Sequence, residues 1–124
     1  FAAVRSRKMG CGTSSLSPDA VKDIVDKDIK GIVLYTTSSC PFCHKALKVM
    51  QKTGAKYKEV QLDRVEGGSA IRRELQSRTS RTSVPSIWIG GSYIGGLNDG
   101  GMGGLATLER SGKLDTLLKK LQTN

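Results

Sequence analysis

Three cysteines in 124 residues are too few for a disulfide framework, and two of them fall in one C-x-x-C, which points to a reducing compartment. Histidine occurs once, so a four-ligand zinc site would need all of Cys11, Cys40, Cys43 and His44. Cys11 lies in a polar, glycine-bearing tail, which argues against that site. No apolar run approaches the roughly 20 residues of a membrane span. Acidic residues are outnumbered, 11 against 20 basic, for a net charge of +9. Aromatic residues make up only 5%, and Tyr35, Phe42, Tyr57, Trp88 and Tyr93 do not interleave with a basic stripe. The positive charge therefore suits small anionic substrates better than nucleic acid. With 37% hydrophobic and 25% charged residues, the composition is that of one soluble globular domain.

What is present is organised around Cys40-Pro41-Phe42-Cys43. Upstream, Gly31-Ile32-Val33-Leu34-Tyr35 reads as a short buried strand. Downstream, Cys43, Ala46, Leu47 and Met50 recur at i, i+3, i+4 and i+7, one face of a helix that Gly54 can stop. Cys40 thus stands at a helix N-terminus, with Pro41 in the first-turn position that proline favours. N–H groups without an intrahelical partner and the positive end of the helix dipole stabilise a thiolate there, which makes Cys40 the nucleophile. Cys43, one turn on, lies within the roughly 4.4–6.8 Å Cα separation of a disulfide and is placed to resolve a mixed disulfide on Cys40.

Other readings of these residues are weaker. A structural disulfide would close only two intervening residues and constrain the unfolded chain little. Cys40 to His44 also spells the C-x-x-C-H of haem attachment, with Met102 as a second axial ligand. The strand before the motif and a strand pair near Val84 argue against it, because a small c-type cytochrome is mostly helical. His44 is read as an exposed helix residue beside the site.

Residues 1–16 read as a flexible tail and residues 17–124 as the folded domain. Within the tail, Met9-Gly10-Cys11-Gly12-Thr13-Ser14 matches a myristoylation pattern, with Gly10 as acceptor, Cys11 as a second acyl site and Met9 as the translation start. An ordinary flexible tail is the plainer reading. Ser17-Pro18-Asp19 starts a helix whose stripe is Val21, Ile24, Val25 and Ile29. Lys56 to Leu62 can form a second strand. Gly67 and Gly68 open a third helix with Ala70, Ile71 and Leu75 inward and Arg72, Arg73, Arg78 and Arg81 mostly outward, a solvated basic face. Ser86 to Ile89, Gly90-Gly91 and Ser92 to Ile94 spell a hairpin, with Pro85 before its first strand. The run from Gly95 to Gly104 leads into Leu105; Gly101, Gly103 and Ala106 nominally match a dinucleotide fingerprint, but too little chain follows for the acid it requires. It reads instead as a helix N-terminus whose exposed N–H groups suit a carboxylate. Ser111-Gly112 breaks that helix, and Leu114, Leu117, Leu118 and Leu121 mark a last one. The order of elements indicates a mixed-sheet α/β domain.

Cys40-Pro41-Phe42-Cys43, Ser83-Val84-Pro85, Gly95-Gly96 followed by Asp99, and Ser111-Gly112-Lys113-Leu114 together resemble glutaredoxins over residues 18–124. The resemblance implies a thioredoxin-like fold, a four-stranded mixed sheet flanked by helices on both faces, with Pro85 cis and facing the cysteines. It implies a glutathione-dependent thiol–disulfide oxidoreductase acting on protein–glutathione mixed disulfides and protein disulfides; a cytoplasmic monomer is expected, the alternatives being an organelle or tethering to a membrane through the N-terminal tail. The glutathione sulfur would meet Cys40 and its cysteinyl backbone would pair with Val84. Its γ-glutamyl carboxylate would dock at the Gly96–Asp99 turn through the N–H groups of Asn98 and Asp99, the Asp99 side chain taking the amino group. Thr37 and Thr82 stand where the family commonly carries lysine and arginine, with Arg81 adjacent to the latter, and Leu97 and Asn98 also depart from it. The alternatives are a glutaredoxin that bridges an iron–sulfur cluster through Cys40 and bound glutathione, which usually lacks proline at the position of Pro41, and a thioredoxin proper, against which Gly95-Gly96 with Asp99 argues.

Overall fold

Ile32, Val33, Leu34, Tyr35 and Thr36 are all buried, so the strand they form must be covered on both faces. The computed structural model describes residues 17–123, and these show how the covering is done. Strand β1 (Ile32–Thr36) is central in a four-stranded sheet ordered β2-β1-β3-β4, with β2 (Lys58–Gln61), β3 (Ser86–Ile89) and β4 (Ser92–Gly95). β1 runs parallel to β2 and antiparallel to β3, and β3 and β4 form a hairpin through Gly90 and Gly91. The acylation pattern at Met9–Ser14 lies outside the described residues.

Because alternate strand residues face opposite sides, β1 serves two cores at once. Ile32 and Leu34, with Ile87 and Ile89, pack against α2 (Pro41–Thr53), α4 (Leu105–Ser111) and α5 (Lys113–Thr123) through Ala46, Met50, Leu105, Leu108, Leu114 and Leu118. Val33 and Tyr35, with Trp88 and Val60, pack against α1 (Pro18–Ile29) and α3 (Gly68–Thr79) through Val21, Val25, Ile29, Ile71 and Leu75. The sheet is mixed and carries helices on both faces, a thioredoxin-like arrangement.

The helix ends follow their sequence signals. Ser17 caps α1, accepting the Ala20 N–H at 3.1 Å, and Pro18 occupies its first turn. Gly54 ends α2 in a left-handed conformation, and Gly112 does the same for α4. Three readings need correction. The basic face of α3 is not simply solvated: Arg78 is half-buried, bonded to Glu74 at 2.7 Å and to Asp26 of α1 at 2.8 Å, and the Arg72 Nε donates to the Thr82 carbonyl at 3.0 Å. Ile24 is only half-buried, since the core side of α1 is met by Val21, Val25 and Ile29. The N-terminus of α4 is not open to an anion, because its Leu105 and Ala106 N–H groups donate to the Gly96 and Leu97 carbonyls at 2.9 and 2.8 Å.

Candidate active site

Cys40 is the N-cap of α2, in extended conformation, and its Sγ accepts the Cys43 N–H at 3.1 Å. One of the otherwise unpartnered donors of the helix is thereby aimed at the sulfur, and it stabilises negative charge there. The Cys40 thiol also lies 3.9 Å from the Val84 carbonyl oxygen. Both cysteines are free thiols, Cys40 half-exposed and Cys43 with no exposed surface. Burial pushes the Cys43 thiol up to about 12, helped by its hydrogen bond with Cys40 and, more weakly, by the negative charge of Glu59. Cys40 is therefore the accessible thiol of the pair and Cys43 the buried one.

The loop before Cys40 is tied down by Asp63. Its carboxylate accepts the Ser38 N–H at 3.1 and 3.2 Å and the Ser38 hydroxyl, and the hydroxyl bond in particular holds that carboxyl below its ordinary value. At the end of β1, the buried Thr36 hydroxyl donates to Glu59 at 2.8 Å. The β1–α2 junction is thus fastened to β2 and to the loop after it.

Next to Cys40 opens a cavity of about 250 Å³ lined by Phe42, Arg81, Ser83, Val84, Pro85, Gly96, Leu97, Asn98 and Asp99. All five residues expected to hold a ligand, Val84, Pro85, Gly96, Asn98 and Asp99, lie on its wall. The Val84–Pro85 peptide is cis. The Gly96 N–H donates to the Asp99 carbonyl at 2.8 Å, closing a tight turn. Among the described residues nothing accepts a hydrogen bond from the backbone N–H of Val84, Asn98 or Asp99. The cavity wall therefore offers unpaired main-chain donors on two separate segments, which suits an anionic, peptide-like ligand.

The glutaredoxin family model matches residues 32–94. A glutaredoxin of Pseudomonas aeruginosa is 41% identical over 87 residues, 70% of this chain and 94% of that protein. The chain belongs to the glutaredoxin family. Glutaredoxin 3 of Escherichia coli K12 is 38% identical over 88 residues, 71% of this chain and 96% of its own. Among solved structures, the buckwheat glutaredoxin–glutathione complex superposes with a TM-score of 0.76 at 25% identity, covering 85% of this chain and 93% of that one. As a glutaredoxin the protein is a thiol–disulfide oxidoreductase, and its Cys40 and Cys43 form the family's C-x-x-C. Among the described residues no helix is long and apolar enough to cross a membrane, and no group of three His, Cys, Asp or Glu residues is arranged to hold a metal ion.

Arg81 is the cavity residue that sequence reasoning missed in this glutaredoxin. Its Nη2 lies 3.4 Å from Asp99 Oδ1, both residues on the cavity wall, although it stands at the end of a run read as a solvated face. The one available signal was its place beside Thr82, where the family often has arginine. Phe42 and Leu97 also line the cavity; one belongs to the motif itself, and the other gave no polar pattern to follow.

Proposed function

We propose that residues 17–124 form a dithiol glutaredoxin that uses glutathione as co-substrate to reduce protein–glutathione mixed disulfides and protein disulfides. The observation that carries this reading is the cavity beside Cys40, whose wall combines Val84, Asn98 and Asp99, with backbone N–H groups unpaired among the described residues, and an Arg81–Asp99 ion pair. A γ-glutamyl carboxylate finds donors at Asn98 and Asp99, and its ammonium finds the Asp99 carboxylate. The cysteinyl backbone finds the N–H and carbonyl of Val84, which brings the ligand sulfur to Cys40.

In the first step the Cys40 thiolate attacks the glutathionyl sulfur of the mixed disulfide. The protein–sulfur bond breaks, the protein leaves as a thiolate and takes a proton from solvent, and Cys40 is glutathionylated. A second glutathione thiolate then attacks that glutathionyl sulfur, giving glutathione disulfide and restoring the Cys40 thiolate. With a protein disulfide, Cys40 forms a mixed disulfide with the protein, and Cys43 resolves it. Cys43 must first give up the proton that burial holds on it, and the protein thiolate already released when Cys40 attacked the disulfide is a base able to receive it. The resulting Cys40–Cys43 disulfide is returned to two thiols by two glutathione molecules.

The test is glutathione-dependent reduction of a glutathionylated peptide by wild type, Cys40→Ser and Cys43→Ser. Activity is expected in wild type and Cys43→Ser and absent in Cys40→Ser, while only wild type reduces a protein disulfide by the dithiol route. Activity retained in Cys40→Ser would refute the assignment. An inactive wild type that purifies anaerobically with visible-light absorbance would replace it by the cluster-bridging reading. The reading places the protein in a reducing compartment such as the cytoplasm, acting as a monomer. Intact-mass measurement of protein from its native source tests acylation at Gly10.

A further inference from the structure

The outer surface of α2 takes no part in the chemistry above, yet it carries charge of one sign. Lys45, Lys48 and Lys52 recur at i, i+3 and i+7 and so share one outward stripe, and α2 contains no carboxylate. On the opposite side of the sheet α1 carries four aspartates, so the excess positive charge of the chain is unevenly spread. Lys52 has an internal role: it sits in the last turn, where the helix dipole favours a cation, and lies 3.4 Å from Glu109. Lys45 and Lys48 stand too far from that end to gain from the dipole. Neither has a carboxylate within ion-pair distance among the described residues.

Lys45 has a different neighbour. Its Nζ lies 5.8 Å from the centroid of the Phe42 ring, a cation–π distance. Phe42 stands between the two cysteines and contributes one wall of the cavity, yet 54% of it remains exposed. An open aromatic ring with an ammonium group over it and a second unpaired cation one turn further along is suited to an apolar side chain flanked by carboxylates.

We propose that Phe42 with the Lys45–Lys48 stripe is the docking surface for the protein half of the mixed disulfide. It selects substrates that carry an apolar residue and aspartate or glutamate close to the glutathionylated cysteine. This rests on the glutathione-dependent reading above. The cavity recognises the part common to every substrate, and α2 reads the part that differs. Charge complementarity at the stripe acts mainly on the encounter, so its effect falls as salt screens it.

The experiment uses three glutathionylated peptides of equal length with leucine beside the cysteine, flanked by glutamates, by serines or by lysines. All carry the same glutathionyl group, so any influence of the lysines on its recognition cancels in the ratios. Wild type should show kcat/KM about tenfold higher for the glutamate peptide than for the lysine peptide at low salt, the ratio falling towards one in about 0.5 M salt. Lys45→Glu combined with Lys48→Glu should invert the order of the glutamate and lysine peptides, each taken as a ratio to the serine peptide with the same enzyme. Both positions are exposed, and a thermal melt confirms that the variant folds. Equal kcat/KM across the peptides, a ratio insensitive to salt, or an order that does not invert each overturns the docking surface. Wild type inactive on all three overturns the glutathione-dependent reading and the docking surface with it.

Discussion

Cys43 donates its backbone N–H to Cys40 Sγ at 3.1 Å while its own thiol is buried and pushed up to about 12. One residue therefore supports the nucleophile through its main chain and withholds its own side chain from reaction until a proton acceptor arrives. The pH dependence follows from the sign of that shift. Below the ordinary thiol value of 9.0, Cys43 is protonated in both the folded and the unfolded chain. Above it the unfolded chain releases the proton and the folded protein keeps it, so stability falls as pH rises towards about 12. Denaturant melts of the reduced protein across this range should show that decline, and Cys43→Ala should make it shallower, the buried Tyr35 phenol still contributing above its own ordinary value. Parallel curves for the two proteins would show that burial does not hold the thiol neutral.

Arg81 and Asp99, both on the cavity wall, pair at 3.4 Å, the Arg81 side chain half-exposed and that of Asp99 largely exposed. An exposed ion pair contributes only about 0–1 kcal/mol to stability, so neither partner is needed for folding. Their value is in orienting charge towards a ligand with both a carboxylate and an ammonium group. Asp99→Asn and Arg81→Ala are therefore expected to raise the KM for glutathione several-fold while leaving the melting temperature nearly unchanged. An unaltered KM in Asp99→Asn would remove that carboxylate from ligand recognition.

The parts of this protein that local rules determine were readable from the chain. The apolar run before Cys40, the helical spacing from Cys43 to Met50 and the turn at Gly90-Gly91 each carry a short-range signal, and each became the expected element. What could not be read depends on segments that meet only after folding. Arg78 is drawn towards α1 by Asp26, 52 positions earlier in the numbering; its i,i+4 pair with Glu74 could be read within α3, but the contact with Asp26 could not. The cavity is assembled from Phe42, Arg81, residues 83–85 and residues 96–99, and Arg81 reaches it because of where α3 ends. The first N–H groups of α4 are taken by carbonyls of the preceding loop, a return of the chain on itself that a glycine-rich sequence permits without announcing it.

That glycine run now has a physical account, and it yields a paired prediction. Gly95 adopts φ +112°, and a Cβ there would collide with the Asp99 and Gly100 carbonyl oxygens, which belong to the main chain and cannot step aside. Gly31 faces open space, with no atom within 4 Å of where a methyl group would stand, and its φ is not left-handed. Gly95→Ala is expected to cost roughly 2 kcal/mol or more and to weaken glutathione binding with it, because the loop displaced is the one from Gly96 to Asp99. Gly31→Ala is expected to be neutral or slightly stabilising, within about 1 kcal/mol. Denaturant melts of the two variants give the comparison. Similar costs at both positions would mean that the loop can relax around a side chain at Gly95.

Tyr35 lies at the centre of the sheet, 1% exposed, and no described residue gives its hydroxyl a hydrogen-bond partner. Burial, reinforced by the Asp28 charge, pushes the phenol far above its ordinary value, so the group stays neutral at any working pH. A buried hydroxyl without a partner has lost its hydrogen bonds to water and gained none, at a cost of about 1–3 kcal/mol. The ring itself fills space between α1 and α3 and must be kept. Tyr35→Phe removes the oxygen and keeps the ring, so the variant should be more stable by about 1 kcal/mol, with glutathione-dependent activity unchanged because the residue faces away from α2. Tyr35→Leu, which also removes the ring, should instead destabilise. If Tyr35→Phe proves less stable than wild type, the hydroxyl has a partner in solution, and the α1–α3 side of the sheet holds a hydrogen bond that the described residues do not supply.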